Sequence, residues 1–279
     1  KIDNKRAYAF DRCIEEMFKN EPHGLYKYGY IEDIDKISSQ DLYEYYKKLI
    51  KECKIDIFVS GEIDNANINN IVMDNKSIQN LNDRNPNYIV NKEQGRKNEK
   101  REEKIVEEHM QVGQGNLVIG LSVNSEKNNA KFTTSIYNAI LGGGANSKLF
   151  QNVREKNSLA YTAGSTYRRQ KDAIFIRCGI EIDKYEKALS TIKEQISDME
   201  EGKFTQEDIG NAKKLIIASV KSISAEQDTE ITYYYGQEMS DNFTTIEDYI
   251  KNIEQVSKED IIEIAKNTCN DDTLIVFYA

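Results

Sequence analysis

The chain has 279 residues, of which 39% are hydrophobic and two are proline, and its 38 basic and 47 acidic side chains leave a formal net charge of −9. That is enough apolar material for more than one small domain, while a mean hydropathy of −0.68 and the lack of any apolar run near 20 residues leave no candidate for a membrane-spanning helix. The acidic balance disfavours nucleic acid as a partner, because phosphate backbones repel it.

The sequence starts at Lys1 without a basic and then apolar stretch, so no signal peptide is expected and the chain reads as a fragment of something longer. Residues 6–20 predict a helix with Tyr8, Cys13, Met17 and Phe18 on a loose apolar stripe, broken by a turn at Pro22, His23 and Gly24. Ser38 with Asp41 has the pattern of a capping box, which starts a helix running to about Lys51. Ile55 to Val59 then reads as a strand ended by Gly61. Residues 65–104 are rich in Asn, Lys and Glu and read as a polar linker, with a short ordered piece near Ile68 to Met73.

From residue 105 the pattern is regular. Leu117, Ile119, Leu121 and Val123 alternate, which predicts a strand with one buried face. A helix over 129–141 stops at Gly142, Gly143 and Gly144, read as a helix end that needs positive φ followed by close helix packing. A phosphate loop does not fit, since Gly must directly precede the Lys and here Ser147 precedes Lys148. A short helix over 147–156 leads into a hairpin. Leu159, Tyr161 and Ala163 are expected on one face of its first strand, and Ile174, Ile176, Cys178, Ile180 and Ile182 on one face of its second. Arg168, Arg169 and Lys171 read as its solvated tip. Helices are predicted near 183–201, 205–223, 226–240, 245–255 and 257–268, with a closing strand at Thr273 to Tyr278. Thr245 with Asp248 and Ser257 with Asp260 mark two of the helix starts.

One repeat organises these elements. A shift of 219 positions carries Ser38 onto Ser257, Asp41 onto Asp260, Leu42 onto Ile261, Ile55 onto Leu274 and Ile57 onto Val276. The same cap, helix and strand occur twice. The expected organisation is therefore the closing part of a first domain (1–64), a polar linker (65–104) and a complete second domain (105–279).

Chemistry-bearing residues are sparse. Cys13, Cys53, Cys178 and Cys269 form no C-x-x-C, which fits a reducing, cytoplasmic compartment. His23 is expected in a turn and His109 as a structural residue of a strand beside Val106. Glu107-Glu108-His109 is not an H-x-x-E-H site, because Ile105 stands where its first His would be. No G-x-S-x-G occurs, and no nucleophile with a base partner is visible. Arg154 closes a short helix and Tyr161 opens the next strand, so both tips can reach one spot. An Arg fork suits a carbonyl or carboxylate, and a Tyr hydroxyl can donate to an oxyanion. The same residues also fit a surface Arg and a half-buried strand Tyr with no shared role.

Two blocks carry a resemblance. Ser147-Lys148-Leu149-Phe150, Val153-Arg154-Glu155-Lys156 and Ser158-Leu159-Ala160-Tyr161 closely resemble the second half of insulinase/pitrilysin-like zinc peptidases. The segment from Pro22-His23-Gly24-Leu25 to Gly29, then Glu32-Asp33-Ile34 and Gly61-Glu62-Ile63-Asp64, resembles the close of that family's first half. The resemblance implies an α+β fold: tandem homologous α/β-sandwich domains of the processing-peptidase type, each an antiparallel sheet packed by helices, with the first domain truncated here. It implies that zinc is held by H-x-x-E-H and a distant Glu in a partner subunit or a missing upstream segment, so this chain holds neither metal nor other cofactor. It further implies that Arg154 and Tyr161 grip a peptide substrate, as in the zinc-lacking subunit of bacterial two-subunit enzymes. The expected partners are a peptide and a zinc-bearing homologous subunit, or a second copy in a homodimer. The alternative is a catalytically inert relative that serves as a protein-binding or assembly module.

Overall fold

A computed structural model describes residues 4–62, 64–82, 104–109, 112–123, 130–240, 243–268 and 273–278. In chain order the elements are α1 (Lys5–Met17), α2 (Ile31–Ile34), α3 (Ser39–Glu52), α4 (Asn65–Met73), α5 (Lys76–Asn82), β1 (Lys104–Glu108), β2 (Gly115–Ser122) and α6 (Ala130–Gly142). A π-helical turn, Phe150–Lys156, follows, and then β3 (Ala160–Arg168), β4 (Ala173–Ile180), α7 (Tyr185–Glu200), α8 (Gln206–Lys221), α9 (Gln227–Ser240), α10 (Ile246–Gln255), α11 (Lys258–Thr268) and β5 (Thr273–Tyr278). Cys269 and residues 83–103 of the expected linker lie outside the described residues.

The elements group into two compact units. One takes α1, all five strands, α6 to α8, α10 and α11; the other takes α2 to α5 and α9. The sheet runs β1-β5-β2-β4-β3, antiparallel except for the parallel pair of β1 and β5. One face carries the main core. Leu117, Ile119 and Leu121 of β2 and Ile174, Ile176, Cys178 and Ile180 of β4 pack with Ile136 and Tyr137 of α6, Ile192 of α7 and Ile261 of α11.

The second strand departs from its alternating pattern. Seven of its eight residues are buried, so both faces are covered, not one. The reason is α1, whose Ala9, Cys13, Met17 and, just beyond it, Phe18 pack on Val118 of β2 and on Ala173 and Phe175 of β4. Gly120 permits that approach: a Cβ there would stand 2.6 Å from the Met17 sulfur. Two further strand expectations are corrected. Ile182 lies past the end of β4 in a 3-10 turn and is exposed, because the ladder stops at Ile180. Ile55 to Val59 forms no ladder among the described residues, and a strand exists only through its partners. Its repeat counterpart β5 has two, β1 and β2.

The repeat is visible in the caps. At Ser38 the hydroxyl donates to Asp41 Oδ2 at 2.6 Å and accepts from the Asp41 amide at 3.1 Å, and at Ser257 the same two bonds to Asp260 measure 2.6 and 3.1 Å. The shift of 219 positions also carries α1 onto residues 224–236, where α9 lies. These two helices have changed places. Although α1 precedes α2 and α3 in sequence, it sits on the five-stranded sheet; α9, flanked in sequence by α8 and α10, belongs to the other unit. Each meets the equivalent segment of its unit. While α1 lies against β5, Tyr235 of α9 meets Phe58 edge-to-face at 5.7 Å, and Glu230 of α9 accepts from the Ser60 hydroxyl at 2.9 Å.

In the second unit, Leu42, Tyr45, Tyr46, Leu49 and Ile50 follow helical i, i+3, i+4 spacing on α3, yet all are exposed, from 61% at Leu42 to 37% at Ile50. Ile55, Ile57 and Val59 extend this apolar surface. Two outcomes follow. Phe18→Ala should cost about 3–5 kcal/mol in chemical denaturation, the range for emptying a buried phenyl site. The chain should raise the fluorescence of a hydrophobic dye in its native state, and Leu42→Lys with Ile57→Lys should lower that signal with little loss of stability.

Candidate functional site

The segment from Gly142 to Tyr161 is held by packing at its start and middle. Gly142 ends α6 against β3, where a Cβ would come within 2.4 Å of the Ser165 amide nitrogen. None of Gly142, Gly143 and Gly144 has a positive φ, so they do not form a left-handed helix end, and of the three Gly142 serves close approach of the helix to a strand. The Ser147 hydroxyl donates to the Gly144 carbonyl at 2.6 Å, and Leu149 and Val153 are fully buried. Between these anchors the expected short helix winds as a π-helical turn over Phe150–Lys156. Such turns are rare and place side chains where an α-helix would not. Here Val153 points into the core and Arg154 into solvent.

The connection to β3 is equally irregular. Ser158 has φ 49°, a left-handed conformation unusual for a residue other than glycine. The Leu159 amide donates back to Val153 O at 2.9 Å, the Ser158 amide to Arg154 O at 3.1 Å, and the Asn157 side chain to Asn152 O at 2.6 Å. The ladder with β4 then slips: Ala160 pairs with Ile180 and Thr162 with Gly179, which leaves Tyr161 as the extra residue of a bulge. The expectation that Leu159, Tyr161 and Ala163 share a face fails for this reason. Leu159 is buried, whereas the bulge turns Tyr161 outward to 58% exposure.

Arg154 and Tyr161 thus stand at the two ends of one connector, each with its own neighbours. The Arg154 guanidinium lies 4.6 Å above the Phe150 ring centre and 3.5 Å from a Glu155 carboxylate oxygen. The Tyr161 hydroxyl donates to Glu181 Oε1 at 3.3 Å. Sequence reasoning missed Glu181; only the strand register, which sets it just past the Ala160–Ile180 pair, reveals it. The Lys184 ammonium bonds Glu181 at 2.9 Å and holds its carboxyl below the usual range, helped by the tyrosine. Lys184 also donates to the Ser158 carbonyl at 3.3 Å, so one cation closes both ends of the strained turn. The arrangement offers an exposed fork, an exposed phenol and no nucleophile.

Other candidates fall away. The ring of His23 packs edge-to-face on Phe18 within a 3-10 turn, as its sequence neighbours suggest. His109 lies one residue beyond β1 and is exposed; the strand stops short of it. Among the described residues no three His, Cys, Asp or Glu side chains are placed to hold a metal, so the residues present do not fit a zinc site. Cys178 is no nucleophile, since burial pushes its thiol up to about 12. Arg169–Lys171 form the hairpin tip, followed by Asp172 in the left-handed region at φ 42°.

Comparison with known proteins shows the family of the chain. The family model described as the peptidase M16 inactive domain matches residues 36–216. A Bacillus subtilis (strain 168) protein described as a probable inactive metalloprotease, YmfF, is 34% identical over 272 residues, covering 97% of this chain and 62% of the relative. Among solved structures, a conserved protein from Enterococcus faecalis V583 superposes with a TM-score of 0.80 at 22% identity, over 99% of this chain and 64% of that one. A peptidase M16 inactive domain from Pseudomonas fluorescens gives 0.80 at 16% identity, over 99% and 65%. The chain therefore spans just under two thirds of each of these relatives.

Thiol reactivity checks the burial described above. At pH 8 an alkylating reagent should modify half-exposed Cys53 in the native chain, while Cys13 and Cys178 stay protected until denaturant is added. Mass spectrometry of the digested protein reads the order.

Proposed function

The chain belongs to the family of peptidase M16 inactive domains, and on that premise we propose that it positions a peptide for hydrolysis at zinc held outside these 279 residues, with Arg154 and Tyr161 as the gripping pair. The observation that carries this reading is the backbone between them: a π-helical turn, a left-handed serine and a bulge within a dozen positions. Irregular backbone of this kind costs free energy and persists where a side chain must be aimed. Arg154 would hold a substrate carbonyl or carboxylate through paired donors. Tyr161, released from Glu181, would donate to the oxyanion that forms at the scissile carbon.

In this reading residues 1–64 close a first domain and 105–279 form a second, the two capping boxes marking equivalent points. The partner is a homologous zinc-bearing subunit, as in bacterial heterodimeric enzymes, or a second copy. The half-exposed thiol at Cys53 and the buried thiols at Cys13 and Cys178 suit a reducing, cytoplasmic compartment.

A second reading has its own support. The relative at 34% identity is described as a probable inactive metalloprotease, and both tips already have partners in Glu155 and Glu181. Under it the fold is an inert assembly or protein-binding module.

The two readings part in a reconstituted assembly with a zinc-bearing partner. Substrate positioning predicts that Tyr161→Phe lowers kcat by about 10²–10³, the usual loss for one oxyanion donor. Arg154→Ala should weaken peptide binding as well, with both variants unfolding at the wild-type denaturant concentration. Turnover and peptide affinity indifferent to both changes would leave only the module.

A further inference from the structure

Among the described residues, the sheet face that carries α1 is covered only in part. Beyond the helix lies an open hollow of about 400 Å³, lined by Arg6, Asn116, Thr162, Gly164, Arg177 and Gly179 among others. Gly142, where the segment above begins, is in its lining, but neither Arg154 nor Tyr161 is.

Its lining carries two guanidinium groups and no carboxylate. Arg6 Nη2 donates to Gln114 Oε1 at 3.4 Å, which fixes the orientation of that amide and leaves its Nε2 buried with no acceptor. Thr162 Oγ1 accepts from the Gly179 amide at 3.2 Å, so its own proton is free to give. Gly179 keeps the floor low; a Cβ there would meet Gln114 Nε2 at 2.7 Å.

Charge points the same way. Arg168 and Arg177 both lie over the Phe10 ring, at 5.8 and 5.2 Å, and Arg6 is one helical turn before that ring on α1. The Arg177 guanidinium is held below its usual range by desolvation and by Arg168, and its hydrogen bond is to a hydroxyl, Thr166 Oγ1 at 3.3 Å. Among the described residues none of these three arginines pairs with a carboxylate, in a chain of net charge −9. The first turn of α1 holds Lys5 and Arg6 and no acidic residue, the reverse of what a helix dipole favours. An anion in the hollow would relieve all of this at once.

We infer that the hollow binds the oxyanion of a small ligand, a carboxylate or a phosphate, between Arg6 and Arg177 with the Thr162 hydroxyl as a further donor. The paired forks suit either anion.

Calorimetric titration of the 279-residue chain with inorganic pyrophosphate, with acetyl-trialanine bearing a free carboxylate, and with its amide tests this. One of the two anions should bind saturably with a Kd of about 1 mM or tighter, and more weakly as salt rises, while the amide does not bind. Which anion binds identifies the source. Arg6→Gln and Arg177→Gln should each weaken it about tenfold or more. Arg6 is exposed on the first turn of α1, so its variant leaves the Phe10 stack intact, and far-UV circular dichroism confirms the fold. Binding of neither anion, or equal binding by both variants, overturns the inference.

Discussion

Everything in the larger unit depends on two central strands that are apolar on both sides. Only one residue of β4 is exposed, and β2 is buried along its length. A sheet of this kind must be covered twice. Helices α6, α7 and α11 cover one face as a continuous core, and α1 covers the other with four buried side chains. Each Val or Phe removed from water on that second face contributes about 1.5–3 kcal/mol. The requirement fixes where α1 must lie. The arginine-lined hollow lies on this face beside the first turn of α1, which contributes Arg6.

Local signals in the sequence carried far. Caps at Ser38, Thr245 and Ser257 start helices where their spacing said they would, and the closing strand has the expected ends. Periodicity failed where tertiary partners decide. Alternation at Leu117, Ile119 and Leu121 indicates one buried face, but Val118 and Gly120 are covered by a helix about a hundred residues away, which no local pattern encodes. Ile55 to Val59 has the composition of a strand, but no ladder partner stands beside it among the described residues. At the candidate site, Arg154 and Tyr161 stood out by residue type and spacing. The bulge that exposes Tyr161 did not, because a bulge is a property of two strands in register.

The connector from Phe150 to Tyr161 concentrates unfavourable backbone in a short stretch, and its surroundings show how it is held. Val153 and Leu149 are locked in the core, Asn152 is tied to Gln195 at 2.7 Å, and Lys184 bridges Ser158 and Glu181. Rigid support beneath two exposed polar tips is the arrangement that preorganised recognition needs. The basic hollow is a different kind of surface, since it is lined by Arg6 and Arg177 and by no carboxylate.

The exchange of α1 and α9 has a practical meaning for anyone dividing this chain. A cut placed by sequence order, between the first 64 residues and those from 105 onward, would strip the five-stranded sheet of its outer helix and leave α9 severed from the segment it packs against. Neither product would be a native half.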